Sequence, residues 1–145
     1  MKRLYTALLV MFAIPFVMGM GTGSGNITHR IPIPDKNFSA TITDSEGIST
    51  RVSQISFDGR AYLTASRGSS TVTIPFEKIA TVQIVKTEEN KKVPTSITLK
   101  NGGTLNIMVD GAMPCYGIAD FGNVKIEFRD IRKVEIHEAI PKEKP

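Results

Sequence analysis

The stretch TVTIPFEKIATVQIVK, residues 71–86, returns as NVKIEFRDIRKVEIHE at residues 123–138. At an offset of 52 positions Val72 meets Val124, Ile74 meets Ile126, Phe76 meets Phe128, Ile79 meets Ile131, Val82 meets Val134 and Ile84 meets Ile136. These apolar positions are identical, whereas the polar ones between them drift. Glu77-Lys78 is answered by Arg129-Asp130, with the signs reversed. What recurs is therefore a burial pattern. Val72, Ile74 and Phe76 step by two and share one face of a strand. Ile79 comes three later, Val82 three later again, and Ile84 resumes the step of two. That spacing predicts a strand, one tight helical-type turn and a second strand, with Ile79 and Ile131 plugging the end of a core. Fully burying each such side chain contributes about 1.5–3 kcal/mol.

The rest of the chain from Phe38 onward has the same texture. Short alternating runs rich in Val, Ile, Thr and Phe are punctuated by turn residues, the pattern of an antiparallel all-β domain. Strands are predicted at Phe38–Thr43, Ser49–Phe57, Ala61–Ser66, Thr71–Phe76, Thr81–Lys86, Thr95–Lys100, Thr104–Val109, Asn123–Phe128 and Lys133–His137. DSEG (44–47), DG (58–59) and NGG (101–103) supply residues that tolerate the positive φ of tight hairpins. TEENKKVP (87–94) reads as a charged surface loop between two units, 38–86 and 95–137. Matching Asp58-Gly59 to Asn101-Gly102 leaves nine extra residues in the second unit, assigned to a loop at 110–122, opposite the brief RGSS (67–70). The expected fold is a small antiparallel barrel or sandwich of about eight or nine strands, built from two similar β-meander units in one domain, 38–137.

SITLKNGGTLNIMVDG (96–111), followed by GNVKIEFRDIRKVEI (122–136), resembles the Sm-like small β-barrels: a strand pair around an Asn-Gly turn, then a late strand, a tight turn and a closing strand. The resemblance covers Thr95–Ile136 and, more loosely, Ser49–Val85. It implies a barrel shape. The RNA-binding signature of that family is not recognisable, so its function is not carried over. The whole chain looks like an uncharacterised exported bacterial β-protein.

Export is read from the first residues. Lys2 and Arg3 precede an apolar run from Leu4 to Met20, and small residues follow, which is the layout of a cleaved signal peptide at 1–21. The alternative is an uncleaved N-terminal membrane anchor, which would be the chain's sole membrane contact. Cys115 is the only cysteine, so a lipid-bearing cysteine after the apolar run is excluded, as is an internal disulfide. Losing Lys2 and Arg3 lowers the formal net charge of +4 by two. Such a balance does not make a nucleic-acid footprint. Residues 22–37 read as a flexible linker and 138–145, with alternating charges and two prolines, as a disordered tail.

The residues with most chemical interest lie in the expected 110–122 loop: Met113, Pro114, Cys115, Tyr116 and Phe121. Long loops often carry function, and this one is the candidate binding lip. A Cys115 thiol enzyme would need a base in reach, and the only histidines are His29 in the linker and His137 on the last strand. Glu135, His137, Glu138, Asp110 and Asp120 do not form a zinc-ligand spacing. No nucleophile elbow or phosphate-cradling loop is present. No catalytic residue, metal or cofactor is therefore assigned. The expected function is that of a non-enzymatic, periplasmic or secreted envelope protein. It would act as a protein–protein interaction or structural module, with another envelope protein or a second copy as partner. The alternative is a small-ligand or envelope-polymer binder that uses the 110–122 loop, and a Cys115-dependent enzyme is the third reading.

Overall fold

The computed structural model describes residues 30–85 and 91–139. The signal segment 1–21, residues 22–29 of the linker, His29 among them, and residues 140–145 of the tail lie outside this set. Ten strands follow one another: β1 (Phe38–Asp44), β2 (Ser49–Phe57), β3 (Tyr62–Arg67), β4 (Ser70–Pro75), β5 (Ile79–Ile84), β6 (Lys92–Leu99), β7 (Thr104–Asp110), β8 (Pro114–Ala119), β9 (Gly122–Glu127) and β10 (Ile131–Ala139). The break in period around Ile79 and Ile131 is a single turn of 3-10 helix in both places, Phe76–Lys78 and Phe128–Asp130. Lys92–Pro94, expected in a loop, begin β6, and Glu138–Ala139, expected in the tail, end β10.

The turns follow from their residues. Asp58 and Gly59 both have positive φ, 53° and 80°, and Phe57 and Arg60 exchange backbone bonds around them. That is the two-residue hairpin turn whose twist suits antiparallel strands. At the β1–β2 turn the Asp44 carboxylate accepts from the N–H groups of Glu46 and Ile48, and at the β6–β7 turn Asn101 Oδ1 accepts from Gly103 N–H.

All strands pair antiparallel in one sheet, ordered β4-β3-β7-β6-β5-β10-β1-β2-β8-β9 and curled into a half-barrel. Consecutive strands are not always neighbours. The hairpin β1–β2 lies between β10 and β8, and the hairpin β6–β7 lies between β5 and β3. Each unit thus lends its first hairpin to the half that holds the other unit's last strands. Replacing each strand by its counterpart in the other unit reverses the order and reproduces it. The registers agree as well. Leu63 pairs with Ile74 and Cys115 with Ile126. Phe76 N–H donates to Ala61 O at 3.1 Å, and Phe128 N–H donates to Met113 O at 2.9 Å.

These pairings remove the nine-residue insertion expected in the second unit and leave an excess of three residues in the first. Asp58-Gly59 corresponds to Asp110-Gly111, at the offset of 52 shared by everything after it, so the 110–122 stretch contains no insertion. The excess lies in β2. Ser53 faces Ile118 and Met108 faces Ser66 in equivalent places, yet three residues, Gln54-Ile55-Ser56, separate Ser53 from Phe57, while Met108 is followed at once by Val109. The strand absorbs them in a bulge, with Gln54 at φ 50° and its N–H donating to Asn37 Oδ1 at 3.0 Å.

One core fills the half-barrel. Nine of the repeated apolar positions are buried, namely Ile74, Phe76, Ile79, Val82, Ile84, Phe128, Ile131, Val134 and Ile136. Val72, Val124 and Ile126, on the strands at the sheet's two ends, are half-buried against them. Phe57 meets Phe76 and Phe128 edge-on, with ring centroids 5.5 and 5.7 Å away, and so joins the two copies of the pattern.

Candidate functional site

The expected binding lip at 110–122 is a strand and two turns. Cys115, Gly117 and Ala119 are buried, and Pro114, Tyr116 and Ile118 between them are half-buried. Alternation inside a strand thus disperses the candidate residues. Met113 packs against the core, Cys115 is inside it, and Tyr116 stands on the opposite face. Only Phe121, at the turn between β8 and β9, is strongly exposed, at 80 %. Burial pushes the Cys115 thiol up to about 12, which keeps it protonated and unreactive near neutral pH. Gly117 permits this packing, because a Cβ there would lie 2.7 Å from Val52 Cβ.

The β8–β9 ribbon ends the sheet. In an antiparallel ladder closed by the Ala119–Gly122 pair, the N–H groups of Lys125 and Glu127 point away from β8. The sheet's other end is β4, which terminates in Pro75.

A second feature is formed by residues 30–37, expected as part of a flexible linker. This strap is laid against the β2–β3 turn. Pro34 is buried, and Pro32 sits so close to Gly59 that a Cβ there would be 2.7 Å from the proline ring. The Lys36 ammonium pairs with the Glu77 carboxylate and holds that carboxyl below its ordinary range. Between strap and turn lies a groove of about 500 Å³, lined by Ile33, Asp35, Lys36, Arg60, Tyr62 and Pro75 among others. The Arg60 guanidinium lies 5.6 Å from the centroid of the Tyr62 ring.

The equivalent corner of the other half is bridged. There Gly111 N–H donates to Lys91 O at 2.8 Å, and Arg129 donates from its backbone N and its Nε to Gly111 O at 3.0 and 3.2 Å. Arg60, Tyr62 and Glu77 are replaced by Ala112, Pro114 and Arg129.

Among the described residues no group of three metal-ligating side chains converges. His137 Nε2 lies 3.1 Å from Thr41 Oγ1, and Glu135 pairs with Lys133 at 2.9 Å. Asp110 Oδ1 accepts from Ala112 N–H and closes its own turn.

A family model described as "Uncharacterised protein" matches residues 34–139. No curated protein matches the chain.

Proposed function

This chain belongs to that family of uncharacterised proteins, and we propose that it is a non-enzymatic, exported module of the bacterial envelope that binds another protein by strand addition to β9. The observation that carries this reading is the exposed Phe121 at the tip of a ribbon that ends the sheet. Outward N–H and C=O groups on an edge strand pair readily with an extended segment, and a large exposed aromatic beside them supplies an anchor. β9 contains no proline, and Lys125 offers its charge to an incoming strand, while the Glu127 carboxylate pairs with Arg129 Nε at 3.2 Å. The buried, protonated Cys115 supports a non-enzymatic reading. The basic head Lys2-Arg3 and the apolar run Leu4–Met20 support export with cleavage of residues 1–21.

The strand, one-turn helix and strand around Phe76 and Phe128, each joined to a hairpin, support a Sm-like shape for each half and an origin of the two units by duplication. Nothing in that shape brings the RNA-binding function with it.

The test is capture of envelope proteins by the exported protein. The comparison is with Lys125→Pro, which removes one outward N–H of β9, and with Cys115→Ser as a thiol control. Capture that is lost in Lys125→Pro and kept in Cys115→Ser supports the reading. Concentration-dependent self-association with the same sensitivity identifies the partner as a second copy. Capture indifferent to Lys125→Pro and Phe121→Ser refutes it.

A further inference from the structure

We propose that the groove between the 30–37 strap and the β2–β3 turn binds a short free peptide by both of its charged ends, the carboxylate at Arg60 and the ammonium at Asp35. The inference is independent of strand addition at β9.

The corner occurs twice in the fold, and the two versions differ. In the second half, backbone hydrogen bonds from Gly111 and Arg129 draw the chain together around Lys91 and Gly111. In the first half the strap is fastened on both sides, by Pro32 on Gly59 and by Lys36 on Glu77, and a volume of about 500 Å³ stays open between the fastenings. That size is in the range of small-ligand clefts, roughly 300–1,000 Å³.

The charges decide what fits. Four charged side chains line the groove, two of each sign, so a ligand with a net charge is not favoured. Lys36 and Glu77 satisfy each other. Arg60 and Asp35 have no ion-pair partner among the described residues. One cation and one anion therefore remain, and their complement is a zwitterion. The guanidinium of Arg60 lies within cation–π reach of the Tyr62 ring, 5.6 Å from its centroid, and its fork of N–H donors matches a carboxylate. Ile33, 64 % exposed, and Pro75 supply an apolar floor for small side chains.

The experiment is an NMR titration of the isotope-labelled full chain with Ala-Ala-Ala, its N-acetyl form, its C-terminal amide, and glucuronic acid. Shifts centred on the amides of Asp35, Arg60 and Tyr62 are expected with the free tripeptide. Each cap weakens binding about two- to fivefold, the range of a solvent-exposed ion pair. Arg60→Gln abolishes the discrimination against the amide and leaves that against the acetyl form, and Asp35→Asn does the reverse. Both side chains are exposed, and an unchanged thermal melt checks that each variant folds. Absence of shifts at millimolar tripeptide overturns the proposal. So does equal binding of the capped forms, discrimination that survives in the variants, or binding of glucuronic acid in preference to the tripeptide.

Discussion

Val82 and Val134, counterparts at the offset of 52, face each other directly across the seam between β5 and β10, and both are fully buried. The seam joins the two five-strand halves, so each residue packs against its own equivalent. Val82→Ala and Val134→Ala are each expected to cost about 2–3 kcal/mol, from two lost carbons and the space they leave. Because the pair shares one space, the double variant departs from the sum of the singles by about 0.5 kcal/mol or more. Urea unfolding of the three variants measures this.

Phe57 is the ring that touches both repeated phenylalanines. Phe57→Ala is expected to destabilise by about 3–5 kcal/mol, as much as Phe76→Ala or Phe128→Ala. A loss below about 1 kcal/mol in chemical denaturation would show that the two copies of the pattern do not depend on this bridge.

Gly117 is a glycine of necessity. Its Cβ position is filled by Val52, so Gly117→Ala forces β2 and β8 apart and is expected to cost about 1–3 kcal/mol. Val52→Ala frees room, so Gly117→Ala is expected to cost less in that background than in the parent. Equal costs in the two backgrounds would place the strain elsewhere.

The Cys115 thiol titrates from 9.0 in a model compound to about 12 in the fold because burial disfavours the thiolate. The sign is that of a group whose pKa rises on folding. Its contribution is complete below pH 9 and declines as pH climbs toward 12. The stability difference between the parent and Cys115→Ala is therefore expected to shrink between those limits, in denaturant midpoints measured side by side. A disulfide reagent at pH 8 should label the native thiol slowly and the urea-unfolded thiol at once.

Hairpin exchange gives a further expectation. A protease site placed between Val85 and Lys91, followed by cleavage, yields two pieces that each hold strands in both halves of the sheet. The pieces are expected to co-elute on size exclusion and to separate only in denaturant. Separation in buffer would mean that the halves are held by the chain between β5 and β6.

Faces were legible in the sequence and partners were not. The step-of-two runs and the break at Ile79 and Ile131 specify which side chains go inward, and those residues do so. They carry no information on which hairpin lies beside which strand, because strands pair through backbone edges that β2 offers alike to β8 or to β3. The reading of 110–122 as a loop follows from matching Asp58-Gly59 to Asn101-Gly102, which places nine extra residues there. Here Pro114 opens β8 and Gly117 accommodates Val52. Asp110-Gly111 repeats Asp58-Gly59 letter for letter, and that identity was the available signal for the correct alignment. The groove was hidden because Asp35 and Lys36 come before the first strand, and only the packing of Pro32 and Pro34 brings them to Arg60.

Interleaving also dictates when the molecule can become itself. β1 needs β10 beside it, with Phe38 opposite Ala139, and β2 needs β8. A nascent chain can therefore pair β3 to β7, which run in sequence from Tyr62 to Asp110, before the rest has emerged, but it cannot complete the half built on β1 and β2. There the opening hairpin waits for the closing strands.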